Sequence, residues 1–308
     1  MKKLSPSSIK LLLKDQYEFI NKFTSNIDIT QPNIHFAIWT CLHSIAEYYN
    51  DTGMLDKEIG ILELSKILED NILTTDEWET VMFFTDQEID TIVDVIDNTS
   101  KNMNGVLLQW WIAEMTATTD DFIGRVDLMK DDVIYDYKFV SKFAIEWWLF
   151  DPMPWYLIQM SIYSIWYEKE YWKKPERCEI IEILKWDTTI TNPQYMKKDY
   201  LIDLIRQQNP KAEIDEKLTK DKLVEIYKPK DRWSQSWIFP VDDYFMNIGQ
   251  EILNLAISIR NDIVSSTNAD IDDKKQLSNN IKLNLKSFKE LVLEATAKYY
   301  KINLAVKD

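Results

Sequence analysis

Gly124-Arg125-Val126-Asp127-Leu128-Met129-Lys130-Asp131-Asp132-Val133-Ile134-Tyr135-Asp136-Tyr137-Lys138 is the most informative stretch of the chain. Two short apolar runs, residues 126–129 and 133–137, flank a polar segment at residues 130–132. Apolar runs of this length on either side of a short polar segment are typical of a β-hairpin. The stretch therefore predicts two antiparallel strands joined by a tight turn.

This hairpin would bring charged side chains together. Side chains alternate between the faces of a strand, so Asp136 and Lys138 point the same way, and pairing can bring Asp127 opposite them. Two carboxylates and an ammonium at one spot are costly to desolvate unless a ligand balances them. A divalent cation that prefers oxygen ligands, Mg²⁺ or Mn²⁺, would do so. The alternative is a surface hairpin with solvated charges.

The bulk composition describes an intracellular globular protein. The chain has 308 residues, is 45% hydrophobic and has only 5 Gly and 9 Pro, which argues against a turn-rich all-β fold. Its two cysteines, Cys41 and Cys178, have no near neighbour of their kind. A disulfide scaffold, a zinc ribbon and a four-Cys iron–sulfur cluster are therefore unsupported, and a reducing compartment fits best.

Neither a membrane span nor a signal peptide is indicated by the sequence, and we expect a soluble, cytoplasmic protein. The net charge of −15 is unfavourable for non-specific attraction to nucleic acid. A nucleic-acid site would therefore need a local basic surface on an acidic body.

Hydrophobic periodicity predicts several helices, a strand and the hairpin, then a helix and a further strand. This order indicates a mixed α/β (α+β) fold, in which a central mixed sheet is flanked by helices, with a helical N-terminal extension and a helical C-terminal region. Thr74 or Thr75, and Thr85, are candidate helix caps. The predicted helices are 5–23, 34–49, 56–71, 75–98, 155–171, 241–262 and 274–300, and the predicted strands outside the hairpin are 107–115, 177–186 and an extended segment at 232–239.

Three units are predicted along the chain. Residues 1–196 would form the core with its N-terminal extension, residues 197–232 a small two-helix insertion, and residues 233–308 a set of C-terminal helices packed on the core. Residues 197–232 carry 10 basic and 8 acidic residues, and residues 274–308 carry 8 basic and 3 acidic residues. If the protein binds a polyanion, these two segments are where we expect the contacts, although solvated helices with ordinary lysines are an equal alternative.

Two further residues could carry chemistry. His43 precedes Glu47 by four residues, which places both on one helical face. The alternative for His43 is packing against neighbouring aromatic rings. Glu114 ends the strand predicted before the hairpin and could face the cavity of Asp127, or it could be a solvent-facing residue at a strand end.

Gln159 and Tyr163 lie one helical turn apart on the helix that follows the hairpin. The amide can donate and accept hydrogen bonds, and the phenol carries a hydroxyl. Together they could bind a phosphate or hold Lys138. An ordinary interfacial pair on an aromatic-rich helix is the alternative.

Five motifs occur in one order: Ser-Pro-Ser-Ser-Ile at 5–9, His43 with Glu-Tyr-Tyr at 47–49, Gly-Arg-Val-Asp-Leu at 124–128, Asp-Tyr-Lys at 136–138, and Gln159 four residues before Tyr163. Taken together, over residues 4–186, they resemble the RecB-like branch of the PD-(D/E)XK nuclease superfamily, which includes the CRISPR adaptation nucleases and phage recombination exonucleases. The resemblance implies a restriction-endonuclease-like core.

The resemblance also implies roles for individual residues. Asp127 and Asp136 would bind the metal, His43 would reach it, and the carbonyl of Tyr137 would complete the shell. Lys138 would be the catalytic lysine. Gln159 and Tyr163 would form the motif that supports the site and DNA binding. Some relatives carry an iron–sulfur cluster, but the N-terminal segment here lacks their Cys-Pro, so we expect none.

The resemblance implies Mg²⁺- or Mn²⁺-dependent hydrolysis of phosphodiester bonds in DNA, and we expect exonuclease activity. The process would be replication, recombination or repair. The setting would be the cytoplasm of a bacterium or of a phage-infected host. The two-helix unit faintly resembles helix–extension–helix or SAP-like modules that bind DNA. DNA is the expected partner and a membrane is not, while other replication or recombination proteins and a second copy of the chain stay open. The rival is a catalytically inactive nuclease fold with a DNA-binding or assembly role.

Overall fold

The structure is a computed structural model. It describes residues 2–14, 16–24, 33–70, 72–74, 80–82, 84–109, 112–141, 154–185, 198–208, 214–215, 217–226 and 234–265, together with residues 286 and 290. In chain order the elements are α1 (Pro6–Lys14), α2 (Gln16–Thr24), α3 (Ile34–Thr52), α4 (Glu58–Asp70), β1 (Ile72–Thr74), β2 (Thr80–Met82), α5 (Asp86–Met103), β3 (Ile112–Thr118), β4 (Ile123–Lys130), β5 (Val133–Val140), α6 (Pro154–Tyr171), β6 (Arg177–Leu184), α7 (Lys198–Gln208), α8 (Lys220–Ile226), β7 (Ser234–Pro240) and α9 (Asp243–Ser265).

A five-stranded mixed sheet forms the centre of the molecule, with the strand order β3-β4-β5-β6-β7. Neighbouring strands are antiparallel except β5 and β6, which run parallel from Val133 opposite Arg177 to Val140 opposite Leu184. A parallel pair needs a crossover connection, and α6 lies between these two strands in the chain. The predicted mixed α/β architecture with a central sheet flanked by helices is confirmed.

The predicted hairpin is present. Lys130 pairs with Val133, and Asp131 and Asp132 form the turn with φ values of 49° and 63°. Two consecutive residues with positive φ give a turn whose twist matches that of antiparallel strands, and Asp tolerates this conformation. The Asp132 carboxylate accepts hydrogen bonds of 2.6 Å from both the Tyr167 hydroxyl and Lys173, so the turn is anchored to α6 and the segment after it.

Apolar side chains cover both faces of the sheet, because successive residues of a strand point to opposite sides. On one face, Ile134 and Ile180 pack with α1, α2, α6 and α9. On the other face, Tyr135 and Ile181 pack with α3, α4 and α5. This arrangement explains why apolar residues occupy both faces of β5 and β6.

The helix predicted at 75–98 is wrong at its start. Residues 72–74 and 80–82 form the antiparallel pair β1–β2, and α5 begins at Asp86. The helix starts there because the Thr85 side chain accepts from the Glu88 backbone while Glu88 reaches back to Thr85, which completes a capping box. Thr85 is therefore the cap, as predicted, and Thr74 lies in β1.

The other boundaries shift by less. The strand predicted at 107–115 is observed from Ile112 to Thr118, and residues 104–106 form a turn after α5. The extended segment predicted at 232–239 becomes β7, an edge strand paired along β6. The long helix predicted at 274–300 lies outside the described residues except for Lys286 and Glu290, which are helical.

Two short helices, α7 and α8, occupy the segment where the sequence predicts a pair. Leu201, Ile202, Ile205 and Leu223 are buried in a small apolar cluster of their own. Within the part of the chain that the structure describes, no helix is long and apolar enough to cross a membrane.

Candidate metal centre

Asp127 lies in the middle of β4, and only 8% of its surface is exposed. Its Oδ2 accepts a 2.7 Å hydrogen bond from the backbone N–H of Tyr137 on β5. A carboxylate that accepts a backbone N–H has a fixed direction and one oxygen committed to the protein. Its Oδ1 lies 3.7 Å from Nδ1 of His43 on α3. The space bordered by His43, Glu114, Asp127 and Asp136 is called the cavity.

Asp136 lies on β5 and is 1% exposed. Its Oδ1 accepts a 2.5 Å hydrogen bond from Nε2 of Gln159, and its Oδ2 forms an ion pair with the Lys138 ammonium. Burial raises the pKa of Asp136 to about 6, Lys138 lowers it, and the Asp127 carboxylate raises it. A cation at this position would favour the ionised form.

Gln159 and Tyr163 connect α6 to the strands that carry the acids. Gln159 lies 3.4 Å from the Tyr163 hydroxyl, which donates a 2.6 Å hydrogen bond to the backbone carbonyl of Arg125 on β4. Among the hydrogen bonds of the described residues, Gln159 binds Asp136 and neither side chain binds Lys138. Their observed partners are therefore groups on β4 and β5, and their predicted contact with DNA stays a prediction.

Gly124 is required by this arrangement. A Cβ at residue 124 would lie 2.7 Å from Cε1 of Tyr163 and 2.9 Å from Cζ of Phe122, closer than real contacts allow. The glycine of the Gly-Arg-Val-Asp motif thus lets the Tyr163 ring approach β4.

His43, on α3, is 6% exposed and reaches the same cavity. Its Nδ1 lies 3.7 Å from Oδ1 of Asp127 and 3.9 Å from Oε1 of Glu114. Its Nε2 is buried and has no hydrogen-bond partner. The ring also packs against Trp39 and Phe139, so the aromatic packing and the approach to the acids occur together. Since Nδ1 is the nitrogen that faces both carboxylates, it is the atom that would bind a metal between them.

Glu114 is the residue whose role the sequence left open. Ala113 pairs with Leu128 and Met115 with Val126, which places Glu114 opposite Asp127 on the neighbouring strand. Its φ of 53° is unusual for a non-glycine residue in a strand. Strain of this kind is often found at functional sites. The position of Glu114 opposite Asp127 depends on the register of β3 and β4, for which the sequence carries no local signal.

Arg125 links Glu114 to the rim of the cavity. Its Nε forms an ion pair with Oε2 of Glu114, and its Nη2 lies 4.0 Å from Glu47. Burial and the Glu114 carboxylate raise the pKa of Glu47, whereas Arg125 and His43 lower it. Glu47 thus lies on the cavity side of α3, as the spacing from His43 predicts.

The donor set fits a divalent cation. His43, Glu114 and Asp127 each offer one ligand atom, and these atoms lie within 4.8 Å of one another. Two ligands that each bind one ion at about 2.0–2.2 Å can be no more than about 4.4 Å apart, so the His43 distances are suitable. The carbonyl of Tyr137 as a further ligand stays a prediction. A site of imidazole and carboxylate donors accepts several divalent metals, Mn²⁺ among them.

Cys41 and Cys178 are both buried, in the apolar clusters on opposite faces of the sheet. Burial raises the pKa of each thiol to about 12, so both are protonated near neutral pH. The expected absence of an iron–sulfur cluster stays a prediction, which iron analysis of the purified protein would test.

Comparison with known proteins adds little to this geometry. No family model matches the chain, and no curated protein matches it. A solved structure from Eubacterium rectale, named "Putative exonuclease", is 10% identical, with a TM-score of 0.47 over 86% of this chain and 82% of that one. The assignment of the site therefore depends on the residues of this chain.

Proposed function

We propose that this protein is a metal-dependent nuclease of the PD-(D/E)XK type that hydrolyses phosphodiester bonds in DNA. The observation that carries the proposal is the convergence of His43, Glu114 and Asp127 within 4.8 Å, beside the Asp136–Lys138 pair. The motifs that resemble the superfamily are spread over much of the chain. Contacts among His43, Asp127, Asp136, Lys138 and Gln159, which come from four of them, support the proposal. An exonuclease mode and a place in replication, recombination or repair are inferred from the resemblance alone.

The side chains have distinct roles in this proposal. His43, Glu114, Asp127 and Asp136 would hold Mg²⁺ or Mn²⁺. When bound, such an ion lowers the pKa of a water ligand and neutralises charge on the scissile phosphate. The Lys138 ammonium, held beside Asp136, would orient the attacking water or stabilise negative charge on a phosphate oxygen. Gln159 fixes the direction of the Asp136 carboxylate by its hydrogen bond.

The negative charge of the cavity favours binding of a cation first and of DNA only afterwards. Four carboxylates, Glu47, Glu114, Asp127 and Asp136, surround two basic side chains, Arg125 and Lys138. When all are ionised, the cavity is negative and would repel a phosphate. A divalent cation there would remove that repulsion, so metal binding and DNA binding should be coupled.

One observation favours the alternative of a catalytically inactive nuclease fold with a DNA-binding or assembly role. Glu114 is already paired with Arg125 and Asp136 with Lys138, which partly satisfies two of the acids without a metal. Such a protein would bind DNA without cleaving it, and its binding would not depend on the metal.

The test is to incubate the protein with linear and circular DNA, single- and double-stranded, in Mg²⁺, Mn²⁺ or EDTA. Cleavage in Mg²⁺ or Mn²⁺ that is lost in EDTA and in Asp127→Asn would support the proposal. Asp132→Asn is the matched control, because Asp132 lies in the turn of the same hairpin and Asn also tolerates positive φ. Absence of cleavage by a folded protein, or equal cleavage by Asp127→Asn and wild type, would overturn it.

A further inference from the structure

We infer that Phe36 and Trp39 form a stacking platform for an unpaired nucleobase of the DNA strand whose phosphate enters the metal centre. This inference specifies the substrate of the proposed nuclease and therefore rests on the proposed function. It adds a binding site for single-stranded or frayed DNA on the exposed side of α3.

The platform is a row of aromatic rings on one face of α3. Phe36 is 53% exposed and Trp39 is 41% exposed, and their rings stack with centroids 6.4 Å apart. The Trp39 ring lies 4.2 Å from the His43 ring, centroid to centroid, and His43 contacts Phe139 edge-on at 5.2 Å. The row thus runs from the surface to the imidazole beside Asp127 and Glu114.

Large exposed aromatic side chains next to a polar centre are suited to a ligand with both a flat ring and a charged group. Every nucleobase has a π-face that stacks on aromatic rings, and its phosphate follows through a single sugar. A base on Trp39 would leave its phosphate close to His43. A protein surface seated on the same rings would have to cover the acidic cavity, which is costly without matching positive charge.

The local charge agrees with a nucleic acid as the occupant. Residues 33–46 contain no Asp or Glu, although the chain has 51 acidic residues and a net charge of −15. A polyanionic strand approaching along this part of α3 therefore meets no carboxylate from the helix until Glu47. The acidic body of the protein would disfavour other paths.

The platform predicts a preference for unpaired DNA. The bases of a duplex are stacked on each other and paired, so their faces are not available to an exposed ring. Reaching the platform from a duplex requires one base to unstack, which is easiest at a strand end. We therefore expect single strands, overhangs and frayed ends to bind and react before internal duplex positions.

The experiment measures binding of a short single-stranded oligonucleotide in Ca²⁺, to suppress cleavage, and compares it with the same strand carrying abasic sites. Wild type should bind the intact strand about ten- to a hundredfold more tightly than the abasic strand. Trp39→Ala should reduce this ratio towards one, and Phe36→Ala should reduce it partly. Trp39→Phe, which keeps a ring, should restore most of the ratio.

Trp172→Ala is the matched control. Trp172 is 92% exposed and follows α6 next to Lys173, which binds the hairpin turn at Asp132. Asp127 lies several residues along β4 from that turn, about 3.3 Å per residue, so Trp172 is remote from the centre. Its substitution should leave the ratio unchanged. Phe36→Ala provides a second variant that leaves the Trp39–His43 contact in place.

The outcomes separate this inference from the proposed function. An abasic ratio that Trp39→Ala and Phe36→Ala leave at the wild-type value would overturn the platform, even if DNA is cleaved. A ratio that collapses in these variants while no cleavage is found with Mg²⁺ or Mn²⁺ would support base stacking and overturn the nuclease. Equal affinity of wild type for intact and abasic strands would also overturn the platform.

Discussion

The side-chain amide of Gln159 holds Asp136: its Nε2 lies 2.5 Å from Oδ1 of the carboxylate. Lys138 binds the other oxygen of the same carboxylate. Asp136 is thus oriented by a helix on one side and by its own strand on the other. Hydrogen-bond partners of a side chain that binds a metal fix the direction of that side chain and also change the affinity of the site for the metal.

Gln159→Ala should lower the rate of DNA cleavage by about ten- to a hundredfold, because the Asp136 carboxylate loses the donor that fixes it. Gln159→Glu should move the acid side of the pH–rate profile to higher pH, because a second carboxylate further raises the pKa of Asp136. The lower rate and the shifted profile would both be measured by following DNA cleavage by each variant across a range of pH. Gln250→Ala, at a half-buried position on α9, is the control. An unchanged profile in both Gln159 variants would contradict the role assigned to this contact.

Asp136→Asn should stabilise the metal-free protein near neutral pH. Burial raises the pKa of Asp136 from 3.8 to about 6, so the unfolded state ionises first and the fold loses stability as pH rises through this window. Below the window both states are protonated and the cost vanishes. The variant should therefore gain on the order of 1–3 kcal/mol above the window and nothing below it.

The measurement is urea unfolding of wild type and Asp136→Asn in EDTA, at about pH 4 and near neutral pH. Lys138 is 23% exposed at its side chain, so it can turn to water when its partner is neutral. A variant that is less stable than wild type near neutral pH would show that the Asp136–Lys138 pair, rather than the buried charge, dominates.

His43→Ala should weaken binding of Mn²⁺ by about ten- to a hundredfold, because the cavity loses its only imidazole donor among the described residues. The measurement is calorimetric titration of the folded protein with Mn²⁺. His35→Ala, at the exposed start of α3, is the control for removing a histidine. Loss of stability with unchanged Mn²⁺ affinity would return His43 to the role of a packed core residue.

Gly124→Ala should destabilise the fold by about 1–3 kcal/mol, because the added methyl group would overlap the rings of Tyr163 and Phe122. Gly105→Ala is a useful contrast, since no atom lies within 4 Å of its added Cβ and its φ of 75° is the source of strain. That variant should lose about 1–2 kcal/mol. Thermal unfolding of both proteins checks this, and a Gly124→Ala protein with wild-type stability would show that Tyr163 can move.

The segment 197–232 remains proposed as a separate DNA-binding unit. Lys217 and Lys222 are exposed there, and α8 carries the second of them. Lys217→Glu with Lys222→Glu should weaken DNA binding in Ca²⁺ and make its dependence on salt shallower, because fewer counterions are released. Lys66→Glu with Lys169→Glu, at exposed positions on α4 and α6, is the control. Equal affinities and slopes would indicate a role in protein contact or support of the core.

Local sequence was sufficient for the parts of the fold that depend on neighbours in the chain. The hairpin at 124–138 follows from two apolar runs on either side of a polar segment. Thr85 is among the predicted caps, although the predicted helix starts at residue 75 rather than at Asp86. The same local patterns placed α3, α6 and β6 within a few residues of their observed bounds. These features form from interactions over short separations, so the residues involved are visible together in the sequence.

Only the tertiary structure determined which residues that are far apart in the sequence are in contact. That β7 pairs with β6 and that Glu114 lies opposite Asp127 depend on strand register, which no local pattern specifies. The contact of Gln159 with Asp136 depends on how α6 packs across the sheet. The sequence alone therefore predicted which residue types could form a metal centre. Packing of α3 and α6 on opposite faces of one sheet determined which of them meet, because that packing is set by the whole core.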